Sequence, residues 1–287
     1  MVTVKTVSDL QVAISMWRQA GESIAFVPTM GNLHAGHLQL VHVAKTKADR
    51  VVVSIFVNPS QFGVGEDFAS YPRSEQEDQD KLKAVGADLV FLPPVAEMYA
   101  PNAQTMVSVT GISSHYCGAS RPGHFNGVAT VVCKLFNMVQ PTVAVFGLKD
   151  FQQITVIQAM VRDLNMPVQI IGVDTVREAS GLAMSSRNSY LSAAEKAIAP
   201  LLYQSLNIAR DAVLIENLPY AAIEQQALVF LQRAGFQPEY FSICRSSDLK
   251  PAAQSDTDLV VLVAARLGKT RLIDNISFFK EPAMNHG

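Results

Sequence analysis

The sequence predicts an α/β protein in which a doubly wound parallel sheet precedes a smaller α+β domain. Short β-branched runs alternate with amphipathic segments over about the first 175 residues, and these runs are apolar on both faces. Both features are typical of a parallel sheet covered by helices on both sides. Beyond about residue 192 the pattern changes to long helical segments followed by strands. We therefore expect a Rossmann-like domain at 1–175 and a smaller α+β domain at 176–287.

The elements follow from residue type and spacing. Five runs in the first domain combine β-branched and aromatic residues, which favour strands. They are SIAFVPT (23–29), RVVVSIFV (50–57), ADLVFLP (87–93), TVAVFG (142–147) and PVQIIGV (167–173). Apolar residues recur with helical spacing near 37–48, 74–85, 127–139 and 151–164. In the second domain the same criteria predict helices at about 193–213 and 219–234, then strands at 239–245, 257–265 and 270–277.

Composition argues against several classes of partner. The 287 residues are 49% hydrophobic, carry a formal net charge of -2 and contain no block rich in Lys and Arg, so nucleic acid is not an expected partner. The N-terminus lacks the pattern of a secretory signal and no stretch of 18 apolar residues occurs, so we expect no membrane association. The cysteines Cys117, Cys133 and Cys244 form no C-x-x-C pair and cannot all pair within one chain, which favours a reducing, cytoplasmic location.

The stretch FVPTMGNLHAGHLQLV (26–41) carries two glycines and two histidines where the predicted strand 23–29 passes into a helix. Ligands of open parallel sheets bind outside the carboxyl ends of the strands. Gly31 and Gly36 allow close approach, and a helix that begins near His34 offers N–H groups and a partial positive charge to an anion. His34 and His37, three residues apart, share one face of that helix and can both donate to a phosphate.

Two alternatives remain for this histidine pair. Both histidines could be zinc ligands, or they could only cap the helix. The sequence contains neither G-x-G-x-x-G nor G-x-x-x-x-G-K-[ST], which argues against a dinucleotide oxidoreductase and a P-loop enzyme.

Five segments resemble one enzyme family. H-A-G-H matches the H-x-G-H signature of the nucleotidylyltransferase superfamily, and PTMGNLHAGHLQLV is similar to the pantothenate synthetase (pantoate:beta-alanine ligase) family. Further agreement lies in SIFVNPSQFG (54–63), EDFASYPR (66–73), RPGHFNGVATVV with GLKDFQQ (121–153) and REASGLAMSSRNSYL (177–191). H-x-G-H alone is a weak signal, but the five segments in this order are specific.

The resemblance implies a ligase that uses ATP to join pantoate to beta-alanine through a pantoyl-adenylate, with release of pyrophosphate and then AMP. Activation is needed because a carboxylate and an ammonium form an ion pair rather than an amide. It further implies that domain 1–175 binds ATP and pantoate and that domain 176–287, which carries the MSSR segment (184–187), acts as a lid. Mg²⁺ bound mainly through the ATP phosphates and a homodimer are also implied. The rival functions are a nucleotidylyltransferase that acts on a phosphorylated acceptor and a nucleotide-sensing module without turnover.

The resemblance also implies the site residues. Catalytic roles fall to His37, His34, Lys149 and Arg187, with His37 favoured as proton donor or transition-state stabiliser. ATP binding is assigned to Met30, Gly31, Asn32, Leu33, His34, Ala35, Gly36, His37, Gly147, Leu148, Lys149, Asp150, Val176, Met184, Ser185, Ser186 and Arg187. Gln61 is matched to pantoate and beta-alanine, and Gln153 to pantoate. The family more often has a glutamate at the position of Leu148. No metal ligand of the protein is implied.

Some motif residues have structural explanations that are equally good. Asn58, Tyr71, Arg73, His124 and Asn126 could serve in turns, caps or packing rather than in binding. For Lys149 with Asp150 the alternative is a solvated lysine beside a capping aspartate, and for 184–187 it is a polar surface turn.

Overall fold

The computed structural model describes residues 1–216 and 218–281, and the chain divides into two units. The first unit comprises Met1–Leu148 and Gln153–Thr175, and the second comprises Lys149–Gln152 and Val176–Gly287. Residues 217 and 282–287 of the domain predicted at 176–287 lie outside the described residues. Each unit has its own apolar core.

The first unit is built on a sheet that, within the described residues, has six strands, all parallel. They are β1 (Val2–Val4), β2 (Ile24–Thr29), β3 (Arg50–Ile55), β4 (Leu89–Phe91), β5 (Val143–Gly147) and β6 (Gln169–Val173). Their order across the sheet is β1-β4-β3-β2-β5-β6. From β2 the chain adds β3 and β4 toward one edge, and it then returns to add β5 and β6 toward the other edge. This order confirms the predicted doubly wound sheet.

Helices cover both faces of this sheet. The helices in this part of the chain are α1 (Val7–Gln19), α2 (Ala35–Lys45), α3 (Glu75–Ala84), α4 (Val95–Met98), α5 (Cys117–Ser120), α6 (His124–Val139) and α7 (Phe151–Asp163). On one face Val41 of α2 shares a buried cluster with Val27 of β2. On the other face Phe136 of α6 meets Phe26 and Phe146 edge to face, with ring centroids 6.3 and 6.4 Å apart. Successive strand residues point to opposite faces, and helices cover both faces. Most residues of β2, β3 and β5 are therefore apolar.

The second unit packs helices against an antiparallel sheet. Its elements are α8 (Ala193–Ile198), α9 (Leu201–Ile215), α10 (Tyr220–Arg233), β7 (Gln237–Arg245), β8 (Asp258–Leu267) and β9 (Thr270–Phe279). The strands lie in the order β7-β8-β9, with β8 paired on both sides. Leu206 of α9 and Leu231 of α10 share one buried cluster with Val261 and Val263 of β8. The smaller α+β domain is therefore confirmed.

The single helix predicted at about 193–213 is wrong, because the structure has two helices there. Helix α8 ends at Ile198 and α9 begins at Leu201, with Pro200 as the N-cap residue of α9. A proline has no N–H to donate to the preceding turn, and its ring crowds the carbonyl four residues earlier. Apolar spacing continues across Pro200, so the periodicity alone did not reveal the break.

The N-terminal elements β1 and α1 are missing from the sequence-based prediction. Strand β1 has three residues, which is too few to show a period. Helix α1 did carry a capping signal, since Thr6 Oγ1 accepts a hydrogen bond from the Asp9 N–H at 3.1 Å. None of the helices in the described ranges is long and apolar enough to cross a membrane.

Candidate active site

The carboxyl ends of β2 and β5 mark the place where the strand order reverses. β2 pairs with β3 on one side and with β5 on the other, and the chain continues from β2 to β3 but from β5 to β6. Ligands of open α/β sheets bind in the crevice outside such a switch point. Residues 30–37 follow β2 and Leu148 follows β5, so the first unit brings these two predicted ATP-binding segments to the same edge of the sheet.

A tight turn at 30–34 joins β2 to α2. Gly31 has φ +81° and Asn32 has φ +50°, in the left-handed region that glycine adopts readily and asparagine tolerates. A Cβ atom on Gly31 would lie 2.9 Å from Ile55 Cγ2 and 3.1 Å from Asp78 Oδ2. The Gly31 N–H donates to Thr29 Oγ1 at 3.2 Å. Gly31 is thus required both by backbone conformation and by space.

His34 and His37 lie side by side at the N-terminus of α2, with ring centroids 4.1 Å apart. His34 is the N-cap residue, and its Nδ1 accepts the N–H of Gly36 at 3.2 Å. His37 Nδ1 accepts the N–H of His34 at 3.3 Å. The capping alternative is therefore confirmed as part of what these two histidines do.

These caps define the tautomer of each ring. A ring nitrogen that accepts an N–H carries no proton, so a neutral imidazole held in this way carries its proton on Nε2. Both rings are therefore Nε2–H donors at a helix N-terminus, where the helix dipole favours an anion. As regards the zinc alternative, the described residues contain no group of three or more His, Cys, Asp or Glu side chains that could hold a metal ion.

Asp78 holds the same turn from α3, and the sequence analysis did not identify it. Its Oδ2 accepts the N–H of Asn32 and its Oδ1 accepts the N–H of Leu33, both at 2.7 Å. The residue is only 1% exposed. A signal was available, because Asp78 precedes the buried Leu82 by four residues and so lies on the buried face of an otherwise charged helix.

Gln61, predicted to bind pantoate and beta-alanine, ends a 3₁₀ turn (Pro59–Gln61) that follows β3. Its side-chain oxygen accepts from Asn58 Nδ2 at 3.0 Å, and its Nε2 lies 3.1 Å from the sulfur of Met30, toward which it donates. Asn58 is 1% exposed and also donates to the carbonyl of Gly127 at 3.1 Å. Asn58 caps the turn, as its structural explanation supposed, and in addition orients the Gln61 amide.

Arg121 and His124 hold the backbone of Gln61. His124 Nδ1 lies 2.8 Å from the Gln61 carbonyl oxygen, and Arg121 Nη1 lies 3.0 Å from His124 Nε2. Since arginine can only donate, Nε2 of His124 is the acceptor in the contact with Arg121, and Nδ1–H donates to the carbonyl of Gln61. Arg121 also pairs with Glu66 through two nitrogens at 2.7 and 2.6 Å. Burial raises the pKa of Glu66, but the hydrogen bonds and charge of Arg121 outweigh burial and lower this pKa overall.

Leu148 and Gln153 complete the predicted residues of the first unit. A Cβ atom on Gly172 of β6 would lie 2.6 Å from Leu148 Cδ2, so the leucine side chain packs on β6 at the position where the family more often has a glutamate. Gln153 is half-buried in the first turn of α7.

Lys149 and Asp150 group with the second unit. The carbonyl oxygen of Lys149 accepts a hydrogen bond from Asn275 Nδ2 at 2.9 Å. The side-chain Nζ of Lys149 lies 4.0 Å from Asp150 Oδ2, which makes a long ion pair. The position of the Lys149 backbone thus depends on β9, a connection that the sequence did not indicate.

The segment 176–188 forms a closed loop in the second unit. The Met184 N–H donates to the Val176 carbonyl at 3.0 Å, so this carbonyl, expected at the adenine, has a backbone partner here. Ser185 caps the 3₁₀ helix Ser186–Tyr190, and its Oγ accepts the Arg187 N–H at 3.3 Å. Asn188 Nδ2 closes the loop by donating to the Ala183 carbonyl at 3.1 Å.

A buried ion pair anchors this loop to β9. The two terminal nitrogens of Arg177 donate to the two carboxylate oxygens of Asp274 at 2.6 and 3.0 Å, and the Asp274 side chain is 2% exposed. The Arg177 guanidinium carbon lies 3.4 Å from the centre of the Tyr203 ring. Neither Arg177 nor Asp274 was identified as a site residue from the sequence, although Arg177 begins a matching segment.

The chain resembles known proteins over nearly its whole length. The family model described as "Pantoate-beta-alanine ligase" matches residues 2–277. The chain is 56% identical over 278 residues to the pantothenate synthetase of Methylococcus capsulatus, covering 96% of this chain and 97% of that protein. It is 54% identical over 284 residues to the pantothenate synthetase of Shewanella loihica, covering 97% and 99%.

Two solved structures extend the comparison. The crystal structure of pantothenate synthetase from Thermus thermophilus superposes with a TM-score of 0.91 at 44% identity, covering 96% of this chain and 99% of that one. Pantoate-beta-alanine ligase from Francisella tularensis, complexed with beta-gamma ATP and beta-alanine, gives a TM-score of 0.81 at 32% identity, with coverage of 96% and 97%.

Proposed function

The chain belongs to the pantoate-beta-alanine ligase family and is an enzyme that joins pantoate to beta-alanine; we propose that residues 30–37, at the crevice beyond β2, carry its ATP-dependent step. The Francisella relative was crystallised with beta-gamma ATP and beta-alanine, which supports ATP and beta-alanine as substrates here. Pantoate is the carboxylic acid that must be activated.

The reaction has two displacements. In the first, a carboxylate oxygen of pantoate forms a bond to the α-phosphorus of ATP and the bond to the bridging oxygen breaks, so pyrophosphate leaves and pantoyl-adenylate remains. In the second, the amine of beta-alanine forms a bond to the acyl carbon, AMP leaves and the nitrogen loses a proton. Negative charge grows on pyrophosphate in the first step, so positioned donors at the phosphates accelerate it.

The observation that carries this proposal is the pair of capped imidazoles. Both Nδ1 atoms accept backbone N–H groups, so each ring offers an Nε2–H donor beside the N-terminus of α2. His34 and His37 would donate to phosphate oxygens, and His37 is the favoured stabiliser of the departing pyrophosphate.

Gln61 suits the pantoate site because its amide is neutral. An arginine bound to the substrate carboxylate would stabilise the ground state and reduce its nucleophilicity. Asn58 orients the Gln61 amide, and the Gln61 Nε2 lies beside Met30, which belongs to the ATP-binding segment. This proximity supports one crevice for the acid and the triphosphate.

The remaining assignments stay predictions. Lys149 would meet a phosphate as a point charge and Arg187 in a fork, with Ser185 and Ser186 as further donors. Mg²⁺ would enter with ATP, bound mainly by phosphate oxygens and water. The family resemblance implies a homodimer and closure of the second unit as a lid. Cysteine usage favours a cytoplasmic location.

Isotope exchange between pyrophosphate and ATP tests the proposal. With pantoate present and beta-alanine absent, the wild-type enzyme should exchange label, because the first displacement is reversible while the adenylate stays bound. Omitting pantoate should abolish exchange. Exchange that ignores pantoate would indicate another nucleotidyl acceptor, and binding of ATP without any exchange would indicate a sensing module.

A further inference from the structure

The turn that presents the two histidines is held by one helix that the reaction scheme does not use. Both carboxylate oxygens of Asp78 accept N–H groups of the turn, from Asn32 and Leu33, at 2.7 Å. Three residues along α3, Lys81 Nζ donates to the Leu33 carbonyl at 2.8 Å. Helix α3 therefore binds two donors and one acceptor of consecutive turn residues.

We propose that Asp78, assisted by Lys81, is a positioning residue that sets the place and tautomer of His34 and His37 for ATP. The inference rests on the proposed role of the two histidines. The connection is direct in the chain: Leu33, whose N–H and carbonyl are both bound by α3, is followed by His34, whose N–H donates to His37 Nδ1. A shift of the backbone at Leu33 would move that N–H away from the His37 ring.

The chemistry of the contact calls for a carboxylate. Two N–H groups converge on one buried side chain, and charge-assisted bonds to backbone amides are among the stronger hydrogen bonds in proteins. An asparagine has the same shape but presents NH₂ to one of the two amides, so one donor would meet another donor. The turn would then have to move or lose a hydrogen bond.

The backbone of the turn makes it dependent on this support. Gly31 and Asn32 both have positive φ, and Gly31 packs so closely that an added Cβ would lie 3.1 Å from Asp78 Oδ2. A non-glycine residue keeps a left-handed backbone conformation only where contacts with the surrounding structure hold it there. Asp78 provides such a contact, because its carboxylate accepts a hydrogen bond from the N–H of Asn32.

Asp78→Asn is the test, with pyrophosphate–ATP exchange as the readout. We expect the exchange rate to fall by about 10- to 100-fold at a temperature where circular dichroism shows a folded protein, because displacement by about 1 Å at a reacting group has this effect. Nitrogen-15 spectra should show the Nε2–H tautomer of both histidines in the wild-type enzyme and a mixture in the variant. The matched control is Asp80→Asn, the same change on the exposed face of α3, which should exchange at the wild-type rate.

A double variant separates positioning from a merely structural role. If Asp78 acts through the two histidines, adding Asp78→Asn to a His34→Ala/His37→Ala variant should slow exchange no more than about twofold further. Effects that multiply would overturn the proposal, as would wild-type exchange in folded Asp78→Asn. A wild-type rate in His37→Ala would instead defeat the proposed function.

Lys81→Met supplies a second route if Asp78→Asn does not fold. It keeps an unbranched side chain and removes the donor to Leu33. Slower exchange in Lys81→Met, with no more than about a twofold further effect in the His34→Ala/His37→Ala background, would support the proposal. Wild-type exchange in the folded variant would overturn it.

Discussion

Two loops of this protein carry predicted phosphate donors, and they are held in different ways. The segment 30–37 of the first unit is bound through its backbone: the N–H groups of Asn32 and Leu33 donate to Asp78, and α2 begins within the segment at Ala35. The loop 176–188 of the second unit is bound through a side chain, because Arg177 reaches Asp274 on β9, 97 residues along the chain. The first arrangement fixes main-chain atoms, and the second fixes one end of a longer loop.

The difference suggests what each loop can tolerate. Backbone bonds to a buried carboxylate leave the turn few alternative positions, which suits donors that must meet a phosphate with accurate geometry. A buried ion pair adds little net stability by itself, since desolvation offsets much of the attraction, but loss of one partner leaves a buried charge. We therefore expect changes at the first loop to slow the reaction and changes at the second anchor to lower stability.

The largest effect is expected for Asp274→Ala. Removal of one partner of the buried pair should lower the free energy of unfolding by about 3–5 kcal/mol, measured by urea denaturation. The control is Asp211→Ala, which removes an exposed ion pair with Arg210 in the same unit and should change stability little. If Asp274→Ala unfolds at the wild-type urea concentration, the ion pair is not the anchor of the 176–188 loop.

His37→Ala should come next, with turnover lowered on the order of 100-fold and stability nearly unchanged, because a positioned donor to the transition state is lost. Steady-state kinetics and thermal unfolding give the two quantities. His42→Ala, an exposed histidine on the same helix, should retain wild-type kinetics. Comparable rates in the two variants would remove His37 from the mechanism and with it the functional contrast between the loops.

Gln61→Ala should have the smallest effect, confined to one substrate. We expect a higher KM for pantoate and little change in the KM for ATP, because we propose that the amide contacts the acid rather than the triphosphate. The exposed Gln11→Ala serves as the matched control. Unaltered pantoate kinetics would argue against Gln61 as a substrate ligand.

The sequence predicted some parts of the site well because their information is local. His34 and His37 are three residues apart on one helix, so their meeting follows from helix geometry alone, and they do meet. The switch point between β2 and β5 follows from the order of the strands in the sheet. The alternation of strands and helices predicted a doubly wound sheet but not this order. Asp78 was missed because its helix is mostly charged, and a buried carboxylate there looks like its exposed neighbours.

Other parts could not be predicted in this way. The hydrogen bond from Asn275 to Lys149 joins residues 126 positions apart, and no local pattern encodes such a pair. The break at Pro200 lay within a continuous apolar period, so the period concealed it. Leu148 occupies a position where the family more often has a glutamate. The location of its side chain, packed against Gly172, became known only from the structure.

The sequence by itself determined the fold class, the family and the neighbouring histidines, because hydrophobic period and short motifs depend on residues close together in the chain. The tertiary structure alone decided which groups hold those motifs in place: the carboxylate behind the glycine–histidine turn, the amide that orients Gln61, and the ion pair on β9. These partners act across long sequence separations, and a burial or a hydrogen bond between distant residues exists only once the chain has folded.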